Sequence, residues 1–417
     1  MKSDPAANEA PATKGNSVQE ESRRAIEYRS GDVLEVTIER MVPNGFGLAF
    51  VPGATVFVAL AAPGDRLRIR LTRIKGASAF AEIEAILEPS PDRVPPHCKY
   101  FGTCGGCDFQ QMPYPIQLST KAAMLMDSLR RIGKLELGEV PIIASPSQLN
   151  YRTRALWRAD IASSTLGYYE RDSHNIVDID NCPVLDPRLD AAMQEIRSSI
   201  KRGEISGDKL IIEASVGTKG PPSIVSSEAG FKGDEILIEA AGERYLSSAG
   251  GFFQGNLSLL DDLIASATGH ASGSVALDLY CGVGLFSLPL SRRFASVVGV
   301  ESDARSIGFA KRNAIAGAAT NIDFHISGVG SFLADFEGPA DLVLLDPPRA
   351  GTEKNVIRNV VRLMPKNVTY VACDAAVLAR DLRRLVDGGY KISDLVALDM
   401  FPQTHHVEAV ARLTRVA

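Results

Sequence analysis

The 417-residue chain has no apolar run of the roughly 18 residues that a membrane-spanning helix needs. Its opening stretch, MKSDPAANEAPATKGNSVQEES, holds no apolar segment of the kind a secretory signal requires. No membrane partner is expected, and the cytoplasm is the expected compartment. Cysteine is sparse, with six residues. In a compartment that keeps thiols reduced, these are not read as three disulfides. An excess of positive charge is also missing: 45 Lys and Arg stand against 50 Asp and Glu, a net charge of −5. The total therefore does not advertise a nucleic-acid binder, and local charge has to decide. What is present is a globular balance of 45% hydrophobic and 23% charged residues, in a chain too long for one ordinary domain.

Residues 1–30 are rich in Ala, Pro, Ser and Glu and are expected to form a disordered tail. Residues 31–89 read as all-β, with short runs such as VLEVTIERM, GLAFV, TVFVAL, DRLRIRLTRI and FAEIEAILE broken by turn residues. That pattern suits a small OB-like barrel. Within it Arg66, Arg68 and Arg70 alternate with Leu67, Ile69 and Leu71, which places three guanidinium groups on one strand face. The choice is between a basic contact surface and an ordinary solvated face. Residues 90–245 form a mixed central region with a helix expected from Tyr114 to Ile132. Its tract from Tyr151 to Val177 reads as antiparallel strands and carries Arg152, Arg154 and Arg158 beside Trp157. From 246 to 417, strands such as VALDLY, SVVGVES, DLVLLD and VTYVAC alternate with helical stretches, which predicts a doubly wound parallel sheet. Two final β runs predict an antiparallel closing hairpin.

Cys98, Cys104 and Cys107 lie in HCKYFGTCGGC with the spacing C-x5-C-x2-C. Glycines between them allow the backbone to turn tightly, so three sulfurs can gather around a metal or an iron–sulfur cluster. Cys182, in DNCP, is the expected fourth ligand. Zinc is the competing occupant, and His97 and His174 could join it. Paired zinc knuckles are absent, however, because Cys182 lies 74 intervening residues beyond Cys107.

Four features carry chemistry in the α/β region. Asp278-x-x-Cys281-Gly282-Val283-Gly284 follows its first strand, and the glycines permit close approach of a ligand. Glu301 ends the second strand, where an acid can hold ribose hydroxyls. Ser287 occupies the third glycine position of a dinucleotide motif, so NAD fits poorly and S-adenosylmethionine (SAM), which has no pyrophosphate, fits better. Asp346-Pro347-Pro348-Arg349 closes DLVLLD at a strand end, where a carboxylate can accept a hydrogen bond from a nucleobase. Cys373 ends VTYVAC before a helix start, where the helix dipole is expected to lower its pKa. Glu408, in HHVEAV, sits at the start of an apolar alternation and could act as a general base. Each has a plainer reading: a strand-end turn, a small core thiol, a loop glutamate. Together they fit methylation of uracil C5. A thiolate adds to C6, C5 takes a methyl group from SAM, and a base removes the C5 proton as the thiolate leaves.

On these motifs the chain resembles the bacterial RNA uracil-5 methyltransferases, in the SAM-dependent iron–sulfur branch that acts on 23S rRNA. The resemblance spans nearly everything beyond the tail. It implies a TRAM domain over 31–89, a central domain over 90–245 and a class I methyltransferase domain over 246–417. It implies that Cys98, Cys104, Cys107 and Cys182 hold a 4Fe–4S cluster. It also implies Cys373 as nucleophile and Glu408 as base, with Gln254, Tyr280, Gly282, Glu301 and Asp346 at the cofactor. In FFQGN, Phe252 would lie near the target base, with Asp346 also touching substrate. Cys281 is expected to be a packing residue only.

Three positions depart from the family pattern. Ala375 stands where Pro is common, Leu285 where some members have Asn, and SGVG at 327–330 lacks an acid for the adenine amine. A radical SAM enzyme is a poor match, since its C-x3-C-x2-C spacing differs. The remaining alternatives are a tRNA uridine-5 methyltransferase and a catalytically silent RNA-binding protein. The expected partner is RNA, with 23S rRNA favoured over tRNA, and the chain is expected to act as a monomer.

Overall fold

The computed structural model describes residues 28–416. The expected tail therefore lies, for residues 1–27, outside the described residues. The first unit is a six-stranded sheet of β1 (Val33–Thr37), β2 (Arg40–Val42), β3 (Phe46–Val51), β4 (Ala54–Val58), β5 (Arg66–Lys75) and β6 (Ser78–Glu88). Its order is β1-β5-β6-β4-β3-β2. Because β1 and β2 are consecutive pieces of one bent segment, the two ends of this order meet and the sheet curls into a barrel. Val36, Val56, Leu67, Ile69 and Ala79 fill it.

The alternation in RLRIRL does place arginines outward and Leu67 and Ile69 inward, but the outer face is not a free basic stripe. Arg66 pairs with Glu88 at 2.7 Å and Glu35 at 3.2 Å, Arg68 with Glu35 at 3.3 Å, and Arg70 with Glu84. Glutamates on the neighbouring strands neutralise the row, and the ordinary solvated-face reading holds there.

Helix α1 (Tyr114–Arg131) carries Pro115 in its first turn, which suits a helix start, and ends one residue short of the expected Ile132. Next come β7 (Ile142–Ile143), β8 (Arg154–Asp160), β9 (Thr165–Tyr169), β10 (Ile176–Asp178), α2 (Pro187–Lys201), β11 (Lys209–Ser215), β12 (Ser223–Ser226) and β13 (Phe231–Lys232). The strands β8 to β13 make an antiparallel sheet in the order β10-β9-β8-β11-β12-β13. Trp157 and Ala159 face α2 and bury against Leu189 and Met193.

The hairpin β14 (Glu235–Ala240) and β15 (Glu243–Ser248) leads to α3 (Leu260–Thr268). The α/β unit then runs β16 (Gly273–Leu279), α4 (Ser287–Ser291), β17 (Phe294–Glu301), α5 (Ala304–Ala316), β18 (Ile322–Ile326), α6 (Val329–Asp335), β19 (Leu342–Leu345), α7 (Val356–Leu363), β20 (Asn367–Ala372), α8 (Ala375–Asp387), β21 (Tyr390–Leu398) and β22 (Glu408–Arg415). Its sheet order is β18-β17-β16-β19-β20-β22-β21-β7. The first five strands are parallel, and in the closing hairpin β22 runs antiparallel to them while β21 returns to their direction. Successive residues explain the two-sided burial. Leu277, Leu279, Val343 and Leu345 face α6, α7 and α8, whereas Ala276, Leu342 and Leu344 face α3, α4 and the β14–β15 hairpin. Cutting Leu382 to Ala in the first layer is expected to cost about 2–5 kcal/mol.

Packing divides the chain differently from a central unit over 90–245. Leu125, Leu129, Leu135 and Val140 bury in the α/β core, and Ile142–Ile143 adds a parallel edge to β21. Ile236, Ile238 and Tyr245 of the β14–β15 hairpin also belong to the α/β core. A two-residue strand and a short hairpin carry too little periodicity to reveal their partners. No described helix is long and apolar enough to cross a membrane.

Candidate active site and cysteine pocket

The sheet's direction of travel reverses between β16 and β19, and the crevice at such a switch point is where open α/β sheets take ligands. Tyr280 and Asp346 follow those two strands directly. Cys373 follows β20 and Glu301 ends β17, so four expected site residues stand on one rim. The antiparallel partner brings in the fifth. Ala372 pairs with Ala409 as the last pair of that ladder, so Cys373 leaves β20 at the end where Glu408 begins β22, near enough for the carboxylate to act on the thiol.

The glycine loop is shaped for close approach. Tyr280 has φ 65°, Gly282 φ 53° and Gly284 φ 89°, all in the left-handed region. For tyrosine this is a strained position of the kind functional loops retain. A Cβ on Gly282 would meet nothing within 4 Å, so the loop borders open space. Glu301 turns back onto it, accepting from Gly282 N–H at 3.3 Å while its other oxygen accepts from Asp303 N–H at 2.9 Å. The Tyr280 hydroxyl is buried without a protein partner. An open cradle, a carboxylate at its edge and an orphaned hydroxyl fit a bound nucleoside such as that of SAM.

Ser287, at the third glycine position, donates to Asp278 from α4, tying the helix start to the sheet. Cys281 is buried and packs near Ile307 and Phe324, consistent with a packing role. Leu285 likewise lies in the core. Beside SGVG at 327–330, which lacks an acid of its own, Glu353 accepts from Gly330 N–H at 2.8 Å. Ala375 occupies the first position of α8, where proline is tolerated but no backbone bond depends on it.

Electrostatically the rim is acidic. Burial raises Asp346 to about 7, with the nearby Asp278 carboxylate adding to it. Burial also lifts Glu408 well above the usual carboxylate range, helped by Asp346 and opposed by Arg349. The Cys373 thiol is pushed up to about 11, mainly by burial and then by Glu408, while the Arg349 guanidinium pulls it down. The expected lowering by the helix dipole is therefore overridden. Asp374 caps α8 itself, accepting from Ala376 N–H and Val377 N–H at 2.9 Å each, and so takes up the donors that would have faced the sulfur. Arg349 acts on both Cys373 and Glu408. The D-P-P-R motif contained it, yet nothing in the sequence gave it this task.

In FFQGN, Phe252 is 70% exposed while Phe253 and Gln254 are buried. Arg154 holds this loop, donating to the carbonyls of Gly251 and Ala249, with its guanidinium 5.8 Å from the Phe252 ring centre. An exposed aromatic beside an arginine is a stacking platform for a base.

Cys98, Cys104, Cys107 and Cys182 line one cavity of about 80 Å³ together with Tyr100, Phe101, Arg152 and Tyr168. All are free thiols. Burial raises Cys107 to about 12 and Cys182 to about 11, with Arg152 opposing in both. Among the described residues no three His, Cys, Asp or Glu side chains converge to hold a metal ion. The sulfurs surround a space rather than meeting at a point, and His97 and His174 are not among its lining residues.

Comparison with known proteins places this arrangement. Residues 232–416 match the family described as tRNA (Uracil-5-)-methyltransferase, and residues 34–91 match the TRAM domain of tRNA (uracil(54)-C(5))-methyltransferase. The 23S rRNA (uracil(1939)-C(5))-methyltransferase RlmD of Pectobacterium atrosepticum is 33% identical over 431 residues, covering 94% of this chain and 95% of that one. An uncharacterized RNA methyltransferase of Thermosynechococcus vestitus is 31% identical over 445 residues, covering 93% and 99%. The crystal structure of Pyrococcus abyssi tRNA (uracil-54, C5)-methyltransferase with S-adenosyl-L-homocysteine superposes with a TM-score of 0.72 at 25% identity, covering 91% of this chain and all of that one. The chain belongs to the family of SAM-dependent RNA uracil-C5 methyltransferases.

Proposed function

We propose that this enzyme methylates C5 of a uridine in 23S rRNA through a covalent adduct between Cys373 Sγ and uracil C6, with Glu408 as the base. The observation that carries the proposal is the nearness of Cys373 and Glu408 at the shared end of β20 and β22, with Arg349 acting on both. Phe252 and Asp346 would orient the uracil. Attack by Cys373 Sγ on C6 turns the ring into a C5 nucleophile. When bound along Gln254, Tyr280, Gly282, Glu301 and Asp346, SAM supplies the methyl group that C5 takes up. Glu408 then removes the C5 proton, the C5–C6 double bond re-forms, and Cys373 leaves. Half-buried Cys373 adds as thiolate, so Arg349 favours the reactive form.

For the cysteine pocket, a 4Fe–4S cluster is the occupant its donor set supports. Four thiols around a cavity suit a cluster body better than one small ion, and Arg152 offsets the charge of the thiolates. The cluster is read as structural. Assignment to 23S rRNA rests on the four-cysteine set and on the RlmD relatives named above. The test is transfer of tritiated methyl from SAM to separated rRNA and tRNA lacking the modification. Label confined to one uridine of 23S rRNA is expected, and label in tRNA alone would refute the assignment.

A further inference from the structure

Asp108 follows Cys107, and His405 lies three residues before Glu408, yet the two side chains meet although they are 297 residues apart in sequence. His405 Nδ1 and Asp108 Oδ2 form an ion-pair-like hydrogen bond. The backbone reinforces it: Asp108 N–H and Phe109 N–H both donate to the Gln403 carbonyl, at 3.1 and 3.0 Å. Gln117 of α1 completes a two-way amide clasp, donating to Gln403 Oε1 at 3.0 Å and accepting from Gln403 N–H at 3.0 Å. Tyr151 donates to the Pro402 carbonyl at 2.8 Å. The barrel joins the junction too, because a Cβ on Gly45, in the β2–β3 turn, would come within 3.0 Å of both Asp108 and His405. From His405 the contact continues to His406, whose ring lies tilted against it with centroids 4.1 Å apart.

From this geometry we infer that Asp108 and His405 are positioning residues for Glu408, clamping the 399–408 loop to the cysteine loop so that the base sits over the uracil C5 proton. The inference rests on the covalent reading above. It assigns the cysteine loop a duty in catalysis that is mechanical. Whatever fills the cysteine pocket fixes Cys107, hence Asp108, hence the loop that carries the base.

The step affected is the last one. The C5–H bond breaks and its proton passes to a Glu408 carboxylate oxygen. The electron pair forms the C5–C6 double bond, and the C6–S bond breaks with its pair returning to Cys373. Methyl uptake precedes this step. A displaced Glu408 therefore stalls the reaction as a methylated covalent adduct, whereas general unfolding prevents the adduct from forming.

Single-turnover reactions with tritiated SAM and unmodified 23S rRNA transcript separate these outcomes. His405→Ala cuts the clamp from the side away from the cysteines, and His405→Asn retains a donor where Nδ1 stood. The expected result for His405→Ala is an SDS-stable, methyl-labelled protein–RNA adduct whose decay slows roughly 10- to 100-fold while its formation changes little. His405→Asn should restore most of the decay rate. Decay equal to wild type in His405→Ala, or parallel loss of formation and decay in both variants, would overturn the inference. If the wild type itself forms no adduct on 5-fluorouridine RNA, the covalent reading fails, which is a distinct result.

Discussion

Ala372 pairs with Ala409 across the antiparallel β20–β22 ladder, and this register brings together a thiol and a carboxylate separated by 35 positions. A parallel partner for β20 would have sent Glu408 to the far edge of the sheet. The antiparallel return of β22 thus brings Glu408 to the rim on which Cys373 stands.

Replacing Glu408 with Gln should leave adduct formation intact and block resolution. The methylated protein–RNA species is expected to accumulate to near one equivalent per enzyme, with turnover reduced by about 10²-fold or more. Gel shift under denaturing conditions with tritiated SAM reads both quantities.

Activity should climb with pH. The Cys373 thiol is pushed up to about 11, so its reactive thiolate is scarce at neutrality. Log kcat/KM, which reports the free enzyme, is expected to rise with a slope near one from about pH 7 to about pH 9. Removing the Arg349 charge with Gln should lower the rate throughout that range, since the guanidinium is what pulls the thiol pKa down.

Folding stability should run the other way. Burial raises Asp278 from 3.8 to about 7, so the folded state holds a proton that the unfolded state releases. Between those two values the native protein binds more protons, and stability falls as pH rises. Asp278→Asn should flatten that slope, seen as a smaller drop in Tm between about pH 4 and about pH 7 than in wild type.

Lys121 and Asp399 form an ion pair with both side chains fully buried, joining α1 to the end of β21. Lys121 also donates to the Phe401 carbonyl at 3.0 Å. Burial lowers the Lys121 pKa and Asp399 only partly restores it. Lys121→Met should strand the carboxylate and cost about 3–5 kcal/mol in denaturant unfolding. The double variant with Asp399→Leu should recover much of that loss.

How much of this was written in the chain can be read residue by residue. The strands around VALDLY and DLVLLD were legible because both faces of a parallel sheet are buried. The rim residues were legible because turns at strand ends carry short motifs. The arginine row of β5 left two readings open, since its partners Glu35, Glu84 and Glu88 lie on β1 and β6, and only strand register reveals them. The dipole argument for Cys373 failed because Asp374 caps the helix and burial dominates. The Asp108–His405 clamp was invisible, as neither residue has a local pattern.

The central claim is that Cys373 is the covalent nucleophile toward uracil C6. The most direct test is to incubate the enzyme with SAM and 23S rRNA carrying 5-fluorouridine, whose C5 fluorine cannot leave as a proton does, and then to map the trapped peptide. An SDS-stable complex attached at Cys373, absent in Cys373→Ala, is the predicted result. Attachment at another residue, or undiminished methyl transfer by Cys373→Ala, would contradict it.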